Sequence, residues 1–323
     1  MAGFDSRLVT VFGGSGFIGA QAVRALAKQG WRVRVAVRNP VTANELQPLG
    51  DVGQIQLTRC DVTNADDVAR ALKGADALVN LVGVLFETPG RGFHKMHVEA
   101  AQTITEAAQA QGVARIVQVS ALGAAADSPS LYARTKAQAE RLIRDARPDA
   151  VILRPSVVFG MGDGFLNRFA AMAALAPALP LVGGGETKFQ PAYVGDVAQA
   201  IAQAVIRPDA AGRTFELGGP AVYSFKDILQ LILRETGRSR LLVPMPFFAA
   251  RMVGALAQIT AVIGVAPVLT VDQTRLLERD NVVTPGAEGL ADLGVQPTGL
   301  EAIAPSYLWR YRVGGQFAER PAA

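Results

Sequence analysis

Tyr132 and Lys136 stand four residues apart in Tyr132-Ala133-Arg134-Thr135-Lys136. On a helix that spacing puts a phenol and an ammonium on one face. A phenol titrates at about pH 10 in water, and a nearby ammonium favours the phenolate, so such a pair can give or take a proton. Alone the spacing is common, and a surface pair is the other reading. Far upstream lies Gly13-Gly14-Ser15-Gly16-Phe17-Ile18-Gly19. It directly follows the apolar run Leu8–Phe12 and opens a helical pattern. Glycines at 13, 16 and 19 keep a turn tight and let the backbone approach a pyrophosphate. The helix start then offers free N–H groups and the positive end of its dipole. The strand–turn–helix setting is what makes this more than an ordinary Gly-rich loop.

Together these point to a dinucleotide, and the end of the second strand reads which one. A chain that binds NAD usually carries an acid roughly 20 residues after the glycines, for the ribose 2′-hydroxyl. Here no Asp or Glu occurs between Ala20 and Asn44. Arg38 closes the strand instead, with Arg32 and Arg34 before it. A guanidinium there suits the 2′-phosphate of NADP(H), which makes NADPH the expected cofactor and NAD the second choice. A solvated basic strand end is the plainer reading. Asp61 and Val62 fall in a strand-end turn where an adenine would rest; Asp61 could equally cap the helix that follows. Leu81, Val82 and Gly83, at the end of the fourth expected strand, complete the expected dinucleotide contacts. His94 and His97 are the only histidines and share one helix face, but no third ligand accompanies them, so two ordinary histidines at a helix start are favoured over a metal site.

In order along the chain, the glycine turn, Asp61-Val62, Ser120 after strand five, Tyr132–Lys136 and Arg154-Pro155 resemble the short-chain dehydrogenase/reductase superfamily. Gln190-Pro191-Ala192-Tyr193-Val194-Gly195-Asp196-Val197-Ala198 resembles its extended or atypical branch. The resemblance implies that Tyr132 is the acid/base and that Lys136 holds the ribose and lowers the phenol's pKa. It makes Ser120 the hydroxyl that positions a carbonyl, and puts Pro155, Val157 and Val158 along the nicotinamide. Two departures stand out. Ser120-Ala121-Leu122 lacks the paired serines of many members, and His97 stands where extended members carry the Asn of a proton relay. Phe93–Glu99, Ala133–Glu140, Arg154–Gly160 and Phe165–Asn167 resemble one subgroup more closely. That subgroup is the NAD(P)-binding alpha-subcomplex accessory subunits of respiratory complex I and their bacterial relatives. It implies an NADPH held mainly as a structural cofactor; fungal relatives in coenzyme Q biosynthesis imply quinone metabolism as the neighbouring alternative.

The elements that must position these residues alternate in period. Strands are expected at Leu8–Phe12, Arg32–Val37, Ile55–Leu57, Ala77–Val82, Arg115–Val119 and Val151–Leu153, with helices between them. That alternation predicts an α/β fold with a Rossmann-type doubly wound parallel sheet. Past Arg154, Gly and Pro cluster and the pattern loosens. The expected division is a dinucleotide-binding core over 1–160, continued by about 190–218, and a small, mostly helical C-terminal lobe over 161–323, partly interleaved with it.

Composition bounds the rest. Of 323 residues, half are hydrophobic, and a net charge of +4 suits an anionic ligand or acidic membrane surface and is too weak for nucleic acid. A single cysteine, Cys60, excludes a disulfide scaffold and paired-thiolate zinc, and fits a reducing compartment. No signal or transit peptide is evident, so the expectation is a cytoplasmic protein, peripheral on the inner membrane's cytoplasmic face in a bacterium. Across the 29 residues Leu241–Leu269 the only charge is Arg251. Three readings stand for its core, Phe247–Gly264: a buried lobe helix, which is the usual case, an interfacial or partner-binding helix, or a membrane span. We expect part of Pro244–Gly264 to contact a membrane or a membrane-bound respiratory or quinone-related complex. Arg251, Arg310 and Arg312 would then meet anionic headgroups. The segment ending in Tyr307, Trp309 and Tyr311 reads as a last docked helix.

Overall fold

The computed structural model describes residues 7–258, 267 and 269–317. The chain divides into two compact units, one of residues 1–155, 195–216 and 287–295, the other of 156–194, 217–286 and 296–323.

The first unit is a seven-stranded sheet. Its strands are β1 (Leu8–Phe12), β2 (Arg32–Val37), β3 (Ile55–Arg59), β4 (Ala77–Asn80), β5 (Arg115–Val119), β6 (Val151–Pro155) and β7 (Thr214–Leu217), in the order β7-β6-β5-β4-β1-β2-β3. Each pairing with a recorded register is parallel, with Val9 opposite both Val33 and Ala77. Every residue of β1 and β4 is buried, as central strands covered on both faces require. From β1 the chain runs out to β2 and β3, then returns to the other side of β1 with β4. The order therefore reverses between β1 and β4, and the crevice beyond their carboxyl ends is where doubly wound sheets take ligands.

The helices follow from local chemistry. α1 (Phe17–Lys28) starts at Gly16 with neither a side-chain cap nor an acidic residue in its first turn. α2 (Ala65–Leu72) is capped by Asn64, whose side chain accepts from the Asp67 N–H. α3 (Ala100–Ala110) is preceded by a π-helical turn, His94–Glu99, and α4 (Leu131–Ala146) is capped by Ser130. α5 (Val194–Ile206) leads into β7. Phe12, Leu72, Leu78, Ile104, Ile116, Ile143 and Ile152 form the core of this unit. The stretch 287–295 was not expected in the core. It joins through Glu288, whose carboxylate pairs with Arg213 and whose carbonyl accepts from the Glu216 N–H at 2.8 Å.

The second unit packs the helices Leu166–Leu175 and Phe225–Thr236 around Phe159, Phe189, Phe225 and Leu229. The long apolar stretch is not one helix. Leu241–Met245 is a strand beside Ala178–Val182, and a helix follows over Phe247–Ala257. Pro244 and Pro246 explain the break, since proline cannot continue a helix and is tolerated in edge strands. Residues 259–264 of the predicted segment lie outside the described residues. Among the described residues no helix is long and apolar enough to cross a membrane. Ala250 and Gly254 face inward, while Phe248, Met252 and Leu256, at successive i, i+4 positions, are 62%, 65% and 69% exposed. Arg251 pairs with Glu278 at 2.7 Å, Arg310 with the Asn167 side chain, and Arg312 donates to the Glu235 carbonyl at 2.7 Å. The three arginines expected to meet headgroups are therefore tied to their own unit. Tyr307 is buried and donates to Asp163 at 2.8 Å, whereas Trp309 remains partly exposed.

Candidate functional site

The glycine turn sits at the switch point. Gly13 has φ +78°, a conformation that favours glycine, and a Cβ there would lie 3.0 Å from the Leu81 carbonyl carbon. A Cβ on Gly19 would lie 2.3 Å from the Gly13 carbonyl oxygen, so only glycine lets α1 begin so close to the turn. Gly16 has no such crowding. Ser15 and Gly16 are exposed, and Phe17 and Ile18 form the uncapped first turn of α1. Backbone N–H groups and the positive dipole end thus face an open crevice.

A cleft of about 370 Å³ continues from this turn. Gly13, Ser15, Gly16, Arg38, Asp61, Val62, Leu81, Val82 and Gly83 all line it, together with Cys60, Thr63, Gly90, Arg91, Lys95 and Met96. Of the basic residues on and just after β2 only Arg38 lines it. Arg34 turns instead to the end of α2, donating to the carbonyls of Ala71 and Lys73 at 2.9 and 2.8 Å. Asp61 does not cap α2, which Asn64 does. Its carboxylate accepts from the Thr63 N–H at 3.0 Å and hydroxyl at 2.8 Å, and these bonds hold it below the usual carboxylate range. Burial pushes the Cys60 thiol up to about 12, so it is inert at neutral pH.

The second cluster lies past β4 and β5. Lys136 is buried and donates to the Val119 carbonyl at 3.3 Å. Burial lowers its pKa to about 8, against an opposing pull from Glu140. A Cβ on Gly83 would lie 3.1 Å from its Nζ and 3.6 Å from His97 Nε2, so Gly83 leaves the ammonium its room. Ser120 follows Val119; it is 5% exposed, and its Oγ has no hydrogen-bond partner among the described residues. Tyr132 packs edge-on to His97 at 5.3 Å and to Phe93 at 5.8 Å between ring centroids.

His97 is fixed by its neighbours. The Val84 backbone N–H, which can only donate, reaches Nε2 at 3.1 Å. Nε2 must therefore accept, the proton sits on Nδ1, and Nδ1 donates to Thr135 Oγ1 at 2.9 Å. The Thr135 hydroxyl in turn donates a hydrogen bond to a backbone carbonyl, Leu131 or Tyr132, each at 3.0 Å. Burial first, then Lys136, lowers the imidazole pKa to about 3. His97 is thus a neutral strut between the loop after β4 and α4, with both nitrogens engaged. His94 is exposed and lies 3.2 Å from Glu99.

Residues 9–218 match the NAD dependent epimerase/dehydratase family. The chain belongs to that family. It is 35% identical over 307 residues to the NADH dehydrogenase [ubiquinone] 1 alpha subcomplex subunit 9 of Mus musculus mitochondria, covering 94% of this chain and 80% of that one. Over 179 residues, 55% of each chain, it is 34% identical to the ceramide reductase of Caulobacter vibrioides. The UDP-glucose 4-epimerase of Thermus thermophilus, solved with NAD, superposes with a TM-score of 0.68 at 18% identity, covering 94% and 98%. That likeness shows the epimerase/dehydratase fold and nothing finer.

Pro155, Val157 and Val158 are not among the residues lining the cleft. Pro155 ends β6, and its carbonyl accepts from the Leu122 N–H at 2.9 Å. Val157 and Val158 belong to the second unit. The Val157 N–H donates to Asn281 Oδ1 at 3.1 Å, and Val158 pairs with Ala192. Sequence reasoning missed Arg91 and Lys95, which no spacing rule marks as cleft residues. It also missed the state of His97. Its only signal was a basic, aromatic-flanked run, Phe93–His97, at the start of an Ala-rich helix.

Proposed function

We propose that this chain is an NADP(H)-binding, reductase-like protein of the respiratory accessory-subunit type, in which the dinucleotide is mainly structural. Its likeness to the mouse alpha subcomplex subunit along 94% of its length carries this reading. The site residues fit the group. Gly13, in the left-handed region, and the crowded Gly19 let the turn lie flat against α1 where any side chain would clash with the backbone, and the Ser120 hydroxyl is buried without a partner among the described residues. In this reading Gly13, Ser15, Gly16, Phe17, Ile18 and Gly19 face the pyrophosphate, and Arg38 takes the 2′-phosphate. Asp61, Val62, Leu81, Val82 and Gly83 flank the adenosine. Tyr132 and Lys136 hold the second ribose, and Pro155, Val157 and Val158 serve the nicotinamide. The exposed row Phe248, Met252 and Leu256 would be the contact to a membrane-bound respiratory or quinone-related complex.

A second reading, an active NADPH-dependent oxidoreductase or epimerase on a small or quinone-related substrate, is favoured by the second cluster. When bound, the nicotinamide supplies a hydride acceptor or donor. Tyr132 would then move the proton at its phenolic oxygen, with Lys136, lowered to about 8, as the adjoining cation and Ser120 Oγ as the donor to a carbonyl.

One experiment separates them. The protein is purified without added cofactor, the nucleotide is released by acid, and exchange with labelled NADPH is followed. Stoichiometric NADP(H) that exchanges over hours supports the structural role. Rapid exchange with turnover supports the enzyme, and no dinucleotide at any concentration defeats both.

A further inference from the structure

We propose that Arg91 and Lys95 complete, with Arg38, a three-cation clamp for the 2′-phosphate of the dinucleotide. Arg91 is then a specificity-determining residue on a par with Arg38. The inference rests on the dinucleotide reading above and extends it to residues outside the second strand.

The three cations reach one cleft from three places: the end of β2, a tight turn after β4, and the π-helical turn before α3. The turn is braced. Thr88 and Arg91 pair as an antiparallel bridge, with the Arg91 N–H donating to the Thr88 carbonyl at 2.9 Å, and Gly90 takes φ +76°. The nearest acid in sequence, Glu87, is engaged elsewhere, accepting from the Phe93 N–H at 2.8 Å. Among the lining residues Asp61 is the one carboxylate; both Thr63 hydrogen bonds fall on its Oδ1, and its charge offsets part of that of Arg91 and Lys95. Among the described residues Arg38, Arg91 and Lys95 make no salt bridge, whereas Arg147, Arg154, Arg207 and Arg213 each pair with a carboxylate. Arg91 is half-buried, and burial and the neighbouring Arg38 both lower its pKa, with Asp61 opposing. Three cations against a single carboxylate disfavour the empty cleft, and a phosphomonoester dianion relieves them. The pyrophosphate is the other anion of the ligand, and it is present in both NADPH and NADH. The ratio of the two affinities therefore separates the sources.

NADPH and NADH are titrated by fluorescence against the full-length wild type, Arg38→Gln, Arg91→Gln and Lys95→Gln, with thermal unfolding confirming each fold. The wild type should prefer NADPH. Arg91→Gln should cut the NADPH:NADH affinity ratio by about ten-fold and Lys95→Gln by about three-fold, with the NADH Kd unchanged. An equal loss for both cofactors in Arg91→Gln would place the guanidinium at the pyrophosphate and overturn the clamp. So would an unchanged ratio in Arg91→Gln when Arg38→Gln abolishes the preference, which leaves the NADP reading standing. A wild type without preference removes both.

Discussion

At the scale of single residues, the protein combines a buried ammonium with a buried imidazole held neutral around pH 7. Lys136 has a folded pKa of about 8, below the unfolded value, because burial penalises the ammonium. Between the two values the unfolded chain binds more protons, so this group makes stability rise with pH, by at most ~1.4 kcal/mol per pH unit. Thermal unfolding of wild type and Lys136→Met should therefore show a difference that moves in favour of the wild type from about pH 8 to 10.5; a flat difference rejects the shifted lysine. Tyr132→Phe removes at most one hydrogen bond to a bound ribose. It should change the NADPH Kd by less than about five-fold, while any turnover is lost. Normal assembly with lost growth in a Tyr132→Phe strain would decide for the enzyme over the structural role.

Elements set the reach of these groups. α1 begins against the turn because Gly19 has no side chain, and a methyl there would meet the Gly13 carbonyl oxygen at 2.3 Å. Gly19→Ala should therefore weaken dinucleotide binding by about ten-fold or more and lower Tm, read by titration and calorimetry. Wild-type affinity in that variant would mean that the turn is not the cradle. The π-helical turn His94–Glu99 does comparable work on the other side of the crevice. Within it His97 and Met96 are buried while Lys95 stays out in the cleft. Such turns recur at functional sites because one extra residue redirects the side chains that follow.

For the molecule as a whole, the question is what the second unit's apolar surface meets. Phe247 packs against that unit's core, and a Cβ on Gly183 would press within 2.3 Å of its ring, whereas Phe248 is mostly exposed. Phe247→Glu should unfold the second unit. Phe248→Glu should leave Tm within about 0.5 kcal/mol of wild type in equivalent stability, yet release the protein from membranes or a membrane complex on fractionation. Equal unfolding by both substitutions would make the row ordinary core. A folded Phe248→Glu protein that fractionates like wild type would remove the row as a contact surface.

The sequence by itself determined what a few consecutive residues can impose. Strand-to-helix alternation follows from hydrophobic period, and the turn at Gly13–Gly19 from the freedom of glycine. The common face of Tyr132 and Lys136 follows from helical pitch. What only the tertiary structure decided depends on partners distant in the chain. Arg34 on β2 and Arg38 just after it have the same chemistry, but the carbonyls at the end of α2 capture the first. His97 is neutral because the Val84 N–H meets it, and no spacing in the sequence records that contact. The apolar stretch at 241–257 was legible as apolar, but its prolines and its pairing with Ala178–Val182 made its first five residues a strand. Arg38, Arg91 and Lys95 share a cleft only because the strand order reverses beside β1, and charge clustering is a property of that reversal, not of the residues one by one.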